Sequence, residues 1–283
     1  MTRWKLTLAY DGTPYHGWQV QPGLPTVQGA LAEALHRITG ETTLPQGSGR
    51  TDAGVHALAQ VASCSLAAPI PPANLLRALN RCLPASIRVI AAEPAPASFH
   101  ARHSAIRKTY EYRIFQLYSE GNTLRDLDSY ICPPTLAPYV WPCPWPLSLD
   151  ALNQAACKVL GTHDFTSFAA TDPDQSTRCN EAGCPDAMSG CADAALAHTR
   201  TIHRSEWQAR DGLLIYTVAG SGFLHHMVRN LVGTFVQAGS HRLSPDAIPA
   251  LLAARNRAAA GPTAPATGLF LVSAEYEAGP SNP

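Results

Sequence analysis

The chain holds 283 residues, with 21 Lys and Arg against 21 Asp and Glu, a formal net charge of zero, 46% hydrophobic residues and 15% charged ones. Such a composition excludes a disordered chain, and the length allows a full core in two domains or subdomains. No apolar run approaches the length of a membrane span, and Met1-Thr2-Arg3-Trp4-Lys5 passes directly into strand-like sequence without a signal-peptide core, so a soluble cytoplasmic location is expected.

Trp4 to Tyr10 reads as a strand from its alternation, and Thr26 to Ile38 as a helix with Gly40 as its stop. A glycine-punctuated loop, Gly47-Ser48-Gly49-Arg50-Thr51-Asp52-Ala53-Gly54-Val55-His56, leads into a strand over Ala57 to Leu66. Pro72 to Cys82 is a helix begun by a proline pair, and Ser86 to Ala92 is another strand. After a basic stretch the order recurs: strand Thr109 to Phe115, helix Leu149 to Leu160, strands Arg200 to Ala209 and Leu213 to Val218, helix Phe223 to Ala238, strand Leu269 to Tyr276. A faint echo accompanies it, because Ala30-Leu31-x-x-Ala34 before Gly40 returns as Ala151-Leu152-x-x-Ala155 before Gly161 with the same offsets. The expected class is α+β: two α/β halves, residues 1–105 and 106–283, each a mostly antiparallel sheet covered by helices on one face, joined side by side around a central cleft. The connection from Gln116 to Pro146, with Cys132-Pro133-Pro134 and Trp141-Pro142-Cys143-Pro144-Trp145-Pro146, is expected to run extended without regular ladders.

Zero net charge taken alone argues against a nucleic-acid partner, but the charge is unevenly placed. Arg102, Arg107, Lys108 and Arg113 are opposed only by Glu111; a second set is Arg200, Arg204 and Arg210, and a third is Arg229 and Arg242 with His225, His226 and His241. Each set alone reads as a solvated face, and together they allow a basic cleft. The eight cysteines read as thiols rather than as a disulfide framework. Cys179, Cys184 and Cys191, with His198 and His203 after them, lack a Cys-x-x-Cys knuckle and read as a surface insertion rather than a zinc site.

The loop around Asp52 is not built for phosphate. Gly49-Arg50-Thr51-Asp52-Ala53-Gly54 is followed by Val55 and His56 where a Walker loop needs Lys and Ser or Thr, and Asp52 stands where a dinucleotide loop needs its third glycine. What remains is a presented carboxylate. It reads either as a turn cap or as a working nucleophile, base or metal ligand, and the loop offers only His56 as a companion ligand. As nucleophile or base it calls for a cation that keeps it ionised, and Arg50 and Arg229 are the candidates. Tyr110 lies in Arg107-Lys108-Thr109-Tyr110-Glu111-Tyr112-Arg113, where Tyr110 and Tyr112 share one face of a strand and basic residues alternate with them. Such a face can stack a base while cations hold phosphates, or it is a half-buried strand with a solvated edge. In Gly222-Phe223-Leu224-His225-His226-Met227-Val228-Arg229-Asn230-Leu231-Val232-Gly233, helical spacing puts Arg229 on the face of His225, and a buried guanidinium would require a carboxylate such as Asp52.

The motifs Tyr10-Asp11-Gly12-Thr13, Gly17-Trp18-Gln19, Thr26-Val27-Gln28, Gly49 to His56, Phe99-His100-Ala101-Arg102, Lys108 to Tyr112, Gly161-Thr162-His163-Asp164-Phe165, Phe223 to Gly233, Ala264-Pro265 and Gly268-Leu269 closely resemble the tRNA pseudouridine synthase A family, in order from Tyr10 to Leu271. The resemblance implies the pseudouridine synthase fold and an isomerase that converts uridine to pseudouridine at positions 38 to 40 of the tRNA anticodon arm. It implies no cofactor and no metal, and a homodimer with tRNA across both subunits. Asp52 then matches the catalytic aspartate, as nucleophile or as base. Arg50 matches the arginine that displaces the target base, Tyr110 the tyrosine that packs on it, and Arg229 the arginine that pairs with the aspartate. The rivals are a non-catalytic RNA-binding protein on the same scaffold and a metal-dependent hydrolase using Asp52, His56 and the His225–His226 pair.

Overall fold

The computed structural model describes residues 1–117, 131–171 and 197–277, in which the chain forms two compact units. Cys179, Cys184 and Cys191 lie outside the described residues. Among the described residues no helix is long and apolar enough to cross a membrane, and Cys64, Cys82, Cys132, Cys143 and Cys157 are free thiols.

The first unit comprises residues 1–115, 131–143 and 265–277 of those described. Its sheet runs in the order β4 (Ile87–Ala95), β1 (Thr2–Tyr10), β3 (His56–Leu66), β10 (Leu269–Tyr276), β5 (Ala105–Gln116), with the short β2 (Gln46–Gly47) on β3 and β6 (Trp141–Cys143) on β5. All of these pairings with printed registers are antiparallel except β10 with β3, which is parallel through Phe270 and Leu271. Alternation in β1 buries Trp4, Leu6, Leu8 and Tyr10 on one face, as period 2 requires. Helix α1 (Val27–Thr39) starts where Thr26 Oγ1 accepts the Gly29 N–H and stops at Gly40, whose φ of 73° ends it in the left-handed region. It buries Val27, Leu31, Ala34 and Leu35, the i, i+4, i+7, i+8 stripe that faces a sheet. Helix α2 (Pro72–Cys82) buries Leu75 and Leu79 and packs on β4. Strands β5 and β10 fall in the sequence reading's C-terminal half, yet they pair with each other inside this unit. The proline-rich connection also forms a ladder at β6, where a three-residue strand tolerates Pro142 without an N–H to donate.

The second unit contains β7 (Gly161–Asp164), β8 (Thr199–Arg210) and β9 (Leu213–Gly220) in one antiparallel run, with helices α3 (Leu149–Cys157), α4 (Met227–Gly239) and α5 (Ile248–Ala254). In α3, Leu152 and Ala155 are buried as Leu31 and Ala34 are in α1, so the echo in the sequence marks two equivalent sheet-facing stripes. The echo fails at its last member. Gly40 caps α1, whereas α3 ends at Cys157 and Gly161, at φ 98°, opens β7. Asn153 ties α3 to β8 by accepting the Trp207 N–H at 2.8 Å and donating to its carbonyl at 3.1 Å. Helix α4 is apolar nearly all round, with Met227, Leu231, Val232 and Phe235 fully buried, which marks it as the core helix of its unit. It begins four residues later than its sequence suggests, because His226 takes φ 57°, a left-handed conformation that no helix interior accepts.

Candidate active site

Asp52 stands on the turn that joins β2 to β3. Because β2 pairs with Ser63 and Ala62, deep along β3, the loop 48–55 must double back to enter that strand at His56. The reversal closes where the Val55 N–H donates to the Asp52 carbonyl at 3.1 Å and the Gly54 N–H to the Tyr15 carbonyl at 3.3 Å, with Gly54 at φ 77°. A residue with a Cβ would be strained there by roughly 1–2 kcal/mol. On the incoming side, the Ser48 N–H donates to the Val61 carbonyl at 2.7 Å and the Trp18 N–H to the Thr51 carbonyl at 3.0 Å. Two buried hydroxyls, Tyr10 Oη and Thr51 Oγ1, meet at 2.8 Å. The backbone on both sides of Asp52 is therefore fixed by named bonds while the carboxylate itself is half-buried, so the loop is a positioned one.

Tyr110 lies on β5 beside this loop. A Cβ at Gly49 would stand 3.7 Å from the Tyr110 hydroxyl and 3.5 Å from Lys108 Nζ, and the Lys108 ammonium donates to the Ser48 carbonyl. Lys108, Tyr110 and Tyr112 occupy alternate positions of the strand and so share a face, on which both tyrosine rings are buried. Burial, with the Tyr10 phenol and the Asp52 carboxylate nearby, pushes the Tyr110 hydroxyl well above the ordinary tyrosine range. It is a neutral phenol at any working pH, suited to packing and hydrogen bonding rather than to moving a proton. Tyr112 is committed elsewhere, donating to the Pro265 carbonyl at 2.8 Å.

Arg50 also lies in the first unit, half-buried, two residues before Asp52. Arg229 belongs to the second, in the first turn of α4. Its side chain is half-buried rather than fully enclosed, and its Nε donates to the Ala264 carbonyl at 2.8 Å while its own carbonyl accepts the Ala264 N–H at 3.1 Å. This reciprocal pair holds Ala264 against the helix and orients the guanidinium from its Nε end. The expected face shared by His225 and Arg229 does not exist, since His225 precedes the helix and its Nδ1 lies 3.1 Å from the Thr171 carbonyl. Asn230, next to Arg229, was not singled out by pattern. It is fully buried, donates to Phe168 O at 2.7 Å, and accepts from Thr263 Oγ1 at 2.7 Å and Arg257 at 2.9 Å.

His56 closes the loop in a way its sequence position did not reveal. Its ring is buried and stacks on Phe270 with centroids 4.7 Å apart. Nδ1 accepts the Gly12 N–H at 3.1 Å, so the ring proton sits on Nε2 and donates to the Pro138 carbonyl, also at 3.1 Å. Burial lowers its pKa from the ordinary histidine value, with Asp11, 3.2 Å away, opposing the shift. Asp11 in turn sits below the usual carboxylate range: burial, which raises it, is outweighed by the N–H and O–H of Thr13 and by the Tyr139 hydroxyl. With both ring nitrogens engaged, His56 is a structural pin of β3 and cannot serve as the ligand that the hydrolase reading requires.

Gln60 and Lys108 contact the loop; Lys108 belongs to the basic set noted in the sequence, whereas Gln60 stands outside the candidates. For Gln60 the available signal is an amide between the apolar pairs Leu58-Ala59 and Val61-Ala62, which a buried strand carries only at the cost of satisfying it.

Comparison with known proteins adds a further observation. A family profile described as tRNA pseudouridine synthase matches residues 7–104 and 188–277. A tRNA pseudouridine synthase A from Solibacter usitatus is 44% identical over 277 residues, covering 98% of this chain and all of that protein. Proteins of the same name from Moorella thermoacetica and Rhodopseudomonas palustris (strain BisA53) are 44% and 43% identical, over 96% and 98% of this chain and 98% and 100% of their own lengths.

Proposed function

The chain belongs to the tRNA pseudouridine synthase family, and from that membership we propose that it isomerises uridine to pseudouridine at positions 38 to 40 of the tRNA anticodon arm, with Asp52 as its catalytic carboxylate. The reaction breaks the bond from N1 to C1′, turns the uracil, joins C5 to C1′ and moves the C5 proton away, while N1 gains a proton. Atoms and electrons balance within the base, so the work falls to groups that position and stabilise. The observation that carries this reading is the Asp52 turn itself, fixed by backbone bonds on both sides and flanked by a neutral, buried Tyr110.

In this reading the target nucleotide leaves its stack at a cost of roughly a few kcal/mol. Insertion of Arg50 and packing on Tyr110 offset that cost. Asp52 attacks the ribose or the base, or removes a proton to give a glycal-like species, and Arg229 is the arginine that pairs with it. The enzyme acts as a homodimer on cytoplasmic tRNA. The non-catalytic RNA-binding alternative is not favoured, because the relatives matched over nearly full length are named as synthases.

Pseudouridine mapping of an unmodified tRNA tests the assignment. Asp52→Ala lowers single-turnover product formation by at least about 10³-fold with tRNA binding nearly intact; undiminished turnover would falsify the assignment. Arg229→Ala lowers the rate by about 10²-fold, and Arg229→Lys recovers part of it by returning a charge without the fork. Equal rates for Arg229→Ala and the wild type would remove Arg229 from the site.

A further inference from the structure

Beneath the Asp52 turn lies a connected set of buried polar side chains. Gln60, on β3, is 0% exposed. Its Oε1 accepts the Ser48 hydroxyl at 2.6 Å, and its Nε2 donates to the Gly49 carbonyl at 2.9 Å and, more loosely, to Tyr10 Oη at 3.5 Å. The Tyr10 hydroxyl, which accepts from Gln60, also shares a hydrogen bond with Thr51 Oγ1, 2.8 Å away. One amide thus reaches residues 48 and 49 directly and residue 51 through one phenol. The residues it holds, Gly49 and Thr51, alternate with Arg50 and Asp52 along the loop. Burial pushes the Tyr10 phenol up to about 12, so it stays protonated and hydrogen-bonded throughout the working range.

Seating β3 under a loop needs no such arrangement. Apolar side chains of the same volume would avoid the desolvation of an amide and three hydroxyls, and a buried polar set is favourable only when every member is satisfied. What the polar set adds is direction: it places the Gly49 carbonyl and the Thr51 hydroxyl at single points, and thereby fixes the backbone from which Arg50 and Asp52 project. A displacement near 1 Å at a reacting group costs on the order of 10²-fold in rate. We infer that Gln60 is a positioning residue for the isomerisation, holding the Arg50–Asp52 segment at its working geometry through Ser48, Gly49 and the Tyr10–Thr51 pair. The inference rests on the reading of Asp52 as the catalytic group.

Three variants test it against tRNA in single-turnover assays, with tRNA affinity and thermal midpoint measured in parallel. Gln60→Met keeps volume and removes direction; its rate per folded molecule falls by about 10-fold to 100-fold while the tRNA Kd stays within about threefold. Tyr10→Phe severs only the Thr51 branch and gives a smaller fall, about 10-fold at most. Gln60→Glu supplies the most specific signature. Only when protonated can the introduced carboxyl both accept from Ser48 and donate to the Gly49 carbonyl, so its rate relative to the wild type climbs as pH falls, whereas the Gln60→Met ratio stays flat. A purely structural role would lower the thermal midpoint and leave the rate per folded molecule and its pH profile untouched. Should Gln60→Met fail to fold, Tyr10→Phe and the Gln60→Glu ratio decide the matter. Wild-type rates in these variants, beside an inactive Asp52→Ala, overturn this inference alone; an active Asp52→Ala overturns the functional reading beneath it.

Discussion

An aspartate among glycines becomes useful only when something stops it from moving, and most of the polar side chains around Asp52 serve that end. His56 pins the exit of the turn with both ring nitrogens, and Gln60 with Tyr10 holds its entrance. The buried imidazole has a consequence for stability. Its folded-state pKa lies below the ordinary 6.5, so the unfolded chain takes up the proton first. The stabilisation it brings is whole above about pH 6.5 and is lost as pH falls through the lower folded value. His100 shifts in the same direction, through burial first and then its cationic neighbours His103, Arg3 and Arg102, and so adds to the slope. Thermal midpoints followed from pH 7.5 down to 5 should therefore decline in the wild type and decline less steeply in His56→Gln, which starts lower for want of ring packing. Parallel slopes would mean that His56 is not kept neutral by the fold. Asp52, Arg50, Tyr110 and Arg229 were all legible as candidates because each carries charge or a hydroxyl in an unusual local setting. Gln60 is legible only as a polar residue in an apolar strand, since what it holds depends on partners that the fold supplies.

Elements were read well where one face met a core and poorly at their ends. The stripes of α1 and α3 and the alternation of β1 follow from period alone. The start of α4 does not, because the left-handed turn at His226 is set by tertiary contacts, among them the Ala170 N–H that donates to the His225 carbonyl at 3.0 Å. Close approach governs the same helix further along. A Cβ on Gly233 would come within 1.7 Å of the Pro262 carbonyl oxygen, which is backbone and cannot swing aside. Gly233→Ala should destabilise the protein by about 3 kcal/mol or more, measured by urea unfolding, because α4 must move away from the 260–264 segment that Arg229 and Thr234 also hold. A loss under about 1 kcal/mol would show that this contact yields easily.

Zero net charge is the whole-molecule property that fits an RNA-binding enzyme least, and it conceals the local excess around Arg102, Arg107, Lys108 and Arg113. Among the described residues Glu111 pairs with Arg113 at 3.2 Å and Glu275 with Arg107 at 3.0 Å. If tRNA is held by such patches, affinity falls by about 10³-fold between roughly 50 and 200 mM salt despite the neutral total. Binding that ignores salt would leave the patches as solvated surface.

By itself the sequence, through its resemblance to the tRNA pseudouridine synthase family, determined the family and the class of reaction. Glycine spacing, the acid in the Arg50–His56 block and the periodicity of each element are local properties, and together they lead to the α+β class and to Asp52. The tertiary structure alone decided which residues hold that aspartate in place. Strand β10 joins β3 and β5 from more than 150 residues away in sequence, and Gln60 meets Tyr10 across 50. Partners so far apart in sequence are brought together only by the folded backbone, and hydrogen bonding depends on the direction of the donor and acceptor that the fold supplies.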